Sequence, residues 1–300
     1  DRVARSGDRL AQLDRALGTS LAAFQGRLPS VRAAVDTLLD AGMLAVRDDE
    51  EDRAPRLVAT RLGRIAVRQM LAPETVLALA RGLARQDLER WTFLDLLLLA
   101  SATVDAEPRL PVDFEELDDL ARLLGRERSW LLADPTRAEI VLGVTGRSLL
   151  SVVKMAACLR SWTRSGDADE VAEQTSTYPY EIARLRESLV RILAAAQAVV
   201  APTEDSEAEA CPDSDEPALR ERIKALAVMV DAGLDEEIVT LTLLPGLGPA
   251  LARRLAQCGI RDIEELAGAE PAEASAIRGL SLTRATTLCA AAADLVPRRS

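Results

Sequence analysis

The stretch LPGLGPALARRL, at residues 244–255, constrains the fold more than any other part of the sequence. Gly246 and Gly248 are two residues apart, and the small Ala252 follows four residues later. Because glycine adopts unusual backbone angles without steric cost, this spacing predicts a tight turn between two closely packed helices. The helix after such a turn begins with unpaired N–H groups, which bind phosphate oxygens. The stretch therefore predicts a helical unit that holds a phosphate backbone.

A second, weaker copy of this pattern lies at residues 277–287, where Gly279, Ser281 and Ala285 repeat the spacing. Together the copies form a helix-hairpin-helix pattern, joined by the helical segment RDIEELAG. Since phosphate contacts carry no sequence information, we expect nonspecific, salt-sensitive DNA binding. A helical hairpin that contacts protein is the alternative. The candidate DNA-binding residues of this unit are Gly246, Leu247, Gly248, Arg253, Arg254, Gly279, Ser281 and Arg284.

The sequence of the N-terminal region predicts the order helix, helix, β-hairpin, helix. Apolar residues recur at helical spacing over residues 31–39, and Gly42 follows as a helix terminator. Residues 44–46 and 56–59 predict two short strands, and Thr60 can cap the next helix. This order predicts a winged helix with a small β-hairpin.

The second helix of this predicted winged helix is poorly suited to recognise a DNA sequence. It offers only Arg32 as a cation and also carries Asp36 and Asp40. A winged helix reads DNA by placing this helix in the major groove, where acidic residues are repelled by phosphates. We therefore expect a packing or positioning role.

The middle of the chain predicts a helical bundle. Residues 91–100 are nearly all apolar and predict a buried helix, and residues 148–163 and 180–200 show helical spacing. Arg184 and Arg191 are seven residues apart, about two turns, so they project from nearly the same side. From periodicity alone these two are ordinary solvated arginines.

An acidic segment separates this bundle from the glycine-rich unit. Residues 201–217 hold seven acidic residues and no basic one, a large part of the acidic excess behind the net charge of −11. Without apolar periodicity, the segment predicts a flexible linker. The sequence thus predicts a mainly α protein in four parts: a winged helix at 1–76, a helical bundle at 77–200, the acidic linker at 201–217 and a helix-hairpin-helix domain at 218–300.

Several function classes lack their motifs. The chain has no G-x-x-x-x-G-K-[ST] loop and no D-E-x-x box, so we expect no ATPase activity from it alone. It has no His and no C-x-x-C pair, which predicts no metal site and no catalytic residue. The absence of a long apolar run and of a secretory signal predicts a cytoplasmic protein without membrane segments. Because the chain begins at Asp1, we expect a piece of a longer protein.

The order of these parts resembles the region that follows the motor domains in Ski-two-like superfamily 2 helicases, in particular the archaeal type that remodels stalled replication forks. VRAAVDTLLDAGML with LVATRLGRIAVRQMLAP resembles the winged helix of that family. KMAACLRSW and PYEIARLRESLVRILAAAQ resemble its bundle, the latter its ratchet helix. GLDEEIVTLTLLPGLGPALARRLAQCGIRDIEELAG is similar to its terminal helix-hairpin-helix domain.

The resemblance implies a role in DNA repair and a partner, single-stranded or forked DNA, that passes along the ratchet helix. Arg184 matches the family's base-contacting Arg, whereas Arg191 stands where the family has an aromatic. RecA-like motor domains are expected in the same polypeptide or in a partner subunit, and ATP and magnesium only there, so this chain itself would hold no cofactor.

Two alternatives to a strand-guiding helicase region remain open. A non-enzymatic adaptor or regulatory subunit would use the winged helix and the hairpins for protein contacts. A winged-helix transcription factor is the third interpretation, but this sequence lacks the basic recognition helix that such a protein uses.

Overall fold

The computed structural model describes residues 6–26, 30–47, 56–85, 87–125, 127–201 and 216–296. These residues are mainly helical, with one two-stranded antiparallel sheet, which confirms the predicted fold class. Most of the predicted acidic linker and the tip of the predicted β-hairpin lie outside the described residues, at 202–215 and 48–55.

The N-terminal part has the predicted order of elements. Gly42, at φ +67°, ends the third helix, and the Thr60 side chain caps the fourth by accepting a hydrogen bond from the Gly63 amide. The strands pair antiparallel, with Leu44 opposite Ala59. The elements are α1 Ser6–Gly18, α2 Leu21–Phe24, α3 Val31–Asp40, β1 Leu44–Arg47, β2 Arg56–Ala59 and α4 Arg61–Gln69.

The bundle that follows is built around a buried helix, as predicted for residues 91–100. This helix, α6, begins after Thr92, which forms a reciprocal capping box with Asp95. Asp95 is fully buried and also accepts hydrogen bonds from the amides of Trp130 and Leu131. The bundle helices are α5 Pro73–Leu83, α6 Phe93–Ala102, α7 Leu117–Leu124, α8 Pro135–Leu142, α9 Gly146–Ser165, α10 Ala168–Thr175 and α11 Pro179–Val200; two short 3-10 helices lie at Leu88–Arg90 and Phe114–Glu116.

The C-terminal part contains six further helical elements in sequence order with two exposed turns. Its first long helix, α12, places Leu219, Ile223 and Leu226 in the same hydrophobic core as the bundle. The remaining helices surround a second, smaller core that includes Leu247, Leu280 and Ala285. The helices are α12 Glu216–Ala232, α13 Glu236–Leu241, α14 Pro249–Gln257, α15 Ile263–Gly268, α16 Pro271–Ala274 and α17 Leu282–Leu295.

Polar contacts fix α9 against the start of the C-terminal helices. Arg160 on α9 contacts Glu236, the first residue of α13, at 2.5 Å, and it also contacts Glu127, which lies between α7 and α8, at 3.2 Å. The indole N–H of Trp162 donates to the carbonyl oxygen of Val230 on α12 at 2.7 Å. Because the side chains of Arg160, Glu127 and Trp162 are largely buried, although Glu236 is partly exposed, these contacts hold the junction in one geometry.

Of the helices described, none is by itself both long and apolar enough to cross a membrane, although the bent pair α8 and α9 together reaches that length and composition.

Candidate nucleic-acid interface

The first glycine turn is shaped by Gly246 and by the buried residue after it. Gly246 has a φ of +82°, a left-handed value that favours glycine. The amide of Leu247 donates to the carbonyl oxygen of Leu244 at 3.0 Å, and the Leu247 side chain enters the smaller core. Gly248 then takes an extended conformation and caps α14, which begins at Pro249. The predicted tight turn between two helices is therefore present.

This turn presents unbonded amides to solvent. Gly246, Gly248 and Ala250 are exposed, and within the described residues none of their amides donates a hydrogen bond. Pro249, the first residue of α14, has no N–H, so the amides that can donate here are those of its neighbours Gly248 and Ala250. A helix N-terminus with free amides carries partial positive charge and donates hydrogen bonds to a phosphate oxygen.

The second turn has the same backbone geometry. Gly279 has a φ of +91°, and the amide of Leu280 donates to the carbonyl oxygen of Ile277 at 3.0 Å. Ser281 caps α17 with φ −77° and ψ 157°, close to the φ −80° and ψ 166° of Gly248. The replacement of the second glycine by Ser281 therefore leaves the turn intact, because that position needs no positive φ.

The small residues that follow the turns are buried as the pattern predicted. Ala252 and Ala285 are both completely buried in the smaller core, where α14 and α17 pack. A larger side chain at either position would have no room without moving a helix. We call the exposed turn residues Gly246, Gly248, Ala250, Gly279 and Ser281 the hairpin face.

Two arginines predicted to bind DNA also join the two hairpins. Arg254 Nη1 donates to the carbonyl oxygen of Arg278 at 2.7 Å, and the Arg284 guanidinium donates to the carbonyl oxygen of Gly246. Both arginines are exposed, so their charge remains beside the hairpin face. They can attract phosphate while they hold the turns in register.

Arg253 lies in a different environment from its neighbour Arg254. It is half-buried, its Nη2 lies 3.5 Å from the carbonyl oxygen of Gly233, and its Cζ packs close to Gly166. Its contacts are thus with the ends of α9 and α12. The structure places Arg253 in the junction between the two cores, where it can position the hairpins.

The bundle supplies a second exposed surface, on α11. Arg184 and Arg191 are both exposed, and neither forms an ion pair or hydrogen bond with any described residue. Glu187 lies between them on the same helix face and is also exposed. We call Arg184, Glu187 and Arg191 the α11 stripe. These three residues lie together on α11, whereas the hairpin face lies at the starts of α14 and α17.

Sequence reasoning missed two residues at the start of α11. Tyr178 and Tyr180 are exposed, and their rings stack with centroids 5.8 Å apart. An exposed aromatic leaves no helical periodicity to detect, because periodicity reports burial. The one available signal was two tyrosines flanking Pro179 in a chain poor in aromatics.

A large pKa shift among the described residues lies on neither surface. Burial raises the pKa of the Cys158 thiol, on α9, to about 11. Within the described ranges, no group of acidic residues and thiols is placed to hold a metal ion. The hairpin face consists of exposed backbone amides with Arg254 and Arg284 beside it, and the α11 stripe consists of two arginines and one glutamate.

Comparison with known proteins agrees with this arrangement. Residues 238–294 match the family described as a SAM-like helix-hairpin-helix tandem. The chain is 24% identical over 284 residues, 90% of its length, to the ATP-dependent DNA helicase Hel308 of Caldivirga maquilingensis. It is 39% identical over 72 residues to the helicase of that name from Thermoplasma acidophilum, which is 24% of this chain and 11% of that protein.

A third relative, the ATP-dependent DNA helicase Hel308 of Pyrococcus horikoshii, is 27% identical over 134 residues, 45% of this chain and 17% of that protein. The chain spans about a third of the first of these relatives, at 35% of its length. Together with the C-terminal tandem, these matches confirm the resemblance predicted from the sequence: the chain is similar to Hel308-type DNA helicases, and the position of the tandem is consistent with their C-terminal region.

Proposed function

We propose that this chain is the DNA-binding, strand-guiding C-terminal part of an ATP-dependent DNA helicase whose motor domains lie outside it. Its relatives are named as ATP-dependent DNA helicases, and it matches about a third of the first of them. The observation that carries the proposal is the exposed, unbonded amides of Gly246, Gly248 and Ala250. Motor domains would act on the strand that this part holds, either from the same polypeptide or as a partner subunit.

On this proposal the hairpin face holds the sugar–phosphate backbone. The free amides at each turn donate to a phosphate oxygen, and the exposed Arg254 and Arg284 supply the nearby positive charge. Since none of these groups reads a base edge, the contact is independent of sequence and weakens as salt rises. This behaviour suits a protein that must move along its strand.

We further propose that α11 serves as the ratchet helix along which the single strand passes. Its exposed arginines, Arg184 and Arg191, have no protein partner among the described residues and can therefore contact phosphates or stack on bases. Glu187 leaves the α11 stripe with one net positive charge, two arginines against one glutamate. Such a weakly charged track allows a strand to slide.

The N-terminal part, proposed to be a winged helix, is suited to position α11. Arg61 on α4 donates to the carbonyl oxygens of Ala198 at 2.6 Å and Val199 at 3.1 Å, at the C-terminal end of α11. A cation there satisfies carbonyls that have no partner within the helix and complements the negative end of the helix dipole. This contact fixes the orientation of α11 and agrees with the absence of a basic recognition helix.

Replacement of Gly248 by Asp tests the proposal at the hairpin face. Gly248 has a φ of −80° with no atom within 4 Å of an added Cβ, and Asp is a preferred helix N-cap, so the variant should fold normally. Its carboxylate would occupy the free amides and repel phosphate. We expect at least about a tenfold loss of affinity for a fluorescent single-stranded oligonucleotide at low salt.

Gly268→Asp is the matched control, because it adds the same charge at an exposed glycine on α15 where an added Cβ also meets nothing. We expect it to bind within about twofold of the unaltered chain, since a carboxylate on α15 blocks none of the free amides at the two turns. Equal binding by the two variants, with equal thermal stability by circular dichroism, would show that the hairpin face does not hold DNA.

A further inference from the structure

The two tyrosines of the chain lie side by side on its surface. Tyr178 is 65% exposed and Tyr180 is 66% exposed, although aromatic rings usually contribute most when they are buried. Their ring centroids are 5.8 Å apart and their planes differ by 21°, which is a stacked arrangement. Neither phenol hydroxyl forms a hydrogen bond with a described residue. The pair therefore presents an open aromatic surface.

The backbone around the pair is held in place before any ligand arrives. Pro179 stands between the tyrosines as the first residue of α11, where its ring restricts its own φ and favours an extended Tyr178. Tyr178 has φ −114° and ψ 146°, and its amide donates to Glu181 Oε2 at 2.9 Å. Ordering these rings on binding would thus cost little conformational entropy.

The tyrosine pair lies in line with the α11 stripe. Arg184 and Arg191 follow Tyr180 by four and eleven residues, which places all three on one helix face. At 1.5 Å per residue, the two arginines lie about 6 Å and about 16 Å further along the helix axis. An aromatic surface followed by unpaired guanidinium groups is the combination that single-stranded nucleic acid requires.

We propose that Tyr178 and Tyr180 form a base-stacking site for single-stranded DNA at the N-terminal end of α11. The inference rests on the proposed function, because it assumes that the strand passes along α11. A base stacks on the outer face of the ring pair, and the phosphates that follow it contact Arg184 and Arg191. Since every base has a π-face, the site accepts any sequence. The single net charge of the α11 stripe makes stacking a substantial part of the hold.

Binding to normal and abasic oligonucleotides of equal length separates stacking from backbone contact. The full chain is titrated with fluorescent oligothymidylate and with an abasic strand that keeps the phosphates. We expect the double variant Tyr178→Ala, Tyr180→Ala to lose at least about fivefold in affinity for oligothymidylate and to bind the abasic strand as the unaltered chain does. The double Phe variant, which keeps both rings, should bind like the unaltered chain.

Phe114→Ala is the control, because Phe114 is an 88% exposed aromatic elsewhere in the bundle whose removal should leave both affinities unchanged. If the double Ala variant binds oligothymidylate as well as the unaltered chain does, the stacking site is refuted and the proposed function stands. Equal losses on both strands refute it too, since the tyrosines would then serve the backbone. If the unaltered chain binds neither strand, the proposed function itself fails.

Discussion

Arg254, on the helix after the first glycine turn, donates a 2.7 Å hydrogen bond to the carbonyl oxygen of Arg278 in the second turn. Arg284 donates in the opposite direction, from the second helix to the carbonyl oxygen of Gly246 in the first turn. The two turns are thus tied by a pair of crossed contacts. The two turns therefore lie at a fixed distance from each other, so the hairpin face forms one surface.

The crossed contacts should be energetically coupled. Arg254→Ala and Arg284→Ala should each lower the free energy of unfolding by about 1 kcal/mol, the usual contribution of a single hydrogen bond, because both side chains are exposed to competing water. In the double variant we expect a loss that differs from the sum by about 0.5 kcal/mol or more, measured by urea unfolding. Strict additivity would show that each contact acts on its own turn.

The sequence predicted those elements whose signals are local. Gly42 and Thr60 mark the end of α3 and the start of α4, and both act there as expected. Residues 91–100 predicted a buried helix, and α6 begins slightly later because Thr92 caps it. Caps, glycine turns and apolar runs are read within a few residues, so a single sequence suffices to find them.

The sequence could not separate the roles of adjacent arginines. Arg253 and Arg254 were predicted to serve the same DNA contact, but successive residues on a helix project about 100° apart. The structure directs Arg253 to Gly233 and leaves Arg254 beside the second turn. Which of the two meets protein depends on where α12 packs, a contact between distant segments that no local pattern reports.

The salt dependence of the affinity for single-stranded DNA tests whether the α11 stripe contacts phosphates. Arg184→Ala and Arg191→Ala should each weaken binding to single-stranded DNA and make its logarithmic dependence on salt shallower by about 0.7, the value for one phosphate contact. Fluorescence anisotropy between low and physiological salt gives both quantities. Arg15→Ala is the control, because Arg15 is exposed on α1, which packs against α2 and α3. A slope unchanged in both bundle variants would remove α11 from the DNA path.

Gly63 is expected to be essential for the packing of the N-terminal part. A Cβ added to Gly63 would lie 2.1 Å from the backbone oxygen of Met43, the residue before β1. Helix α4 could then no longer pack this closely against the start of β1. We expect Gly63→Ala to lower the free energy of unfolding by about 3 kcal/mol, as in severe overpacking. Gly18→Ala, with no atom near the added Cβ, should change it by less than about 1 kcal/mol. Chemical denaturation of both variants compares the two sites, and similar losses would contradict the close approach.

Thiol labelling should distinguish buried from exposed cysteines. Burial raises the pKa of Cys158 to about 11, so at pH 8 only about 0.1% of it is the reactive thiolate, whereas Cys258 is exposed. Cys211 lies outside the described residues and is replaced by Ser for this experiment. The protein should then react rapidly with a disulfide reagent at Cys258 and slowly at the buried Cys158 and Cys289. The change Cys258→Ser should abolish the rapid phase.

The same pKa shift predicts how stability depends on pH. Because the folded state binds the Cys158 proton more tightly than the unfolded state does, its contribution is complete below about pH 9 and is lost as the pH rises toward 11. Cys158→Ala removes this ionisation, so its free energy of unfolding should fall less steeply over that range. Parallel pH profiles for the variant and the unaltered chain would mean that the thiol reaches water before the protein unfolds.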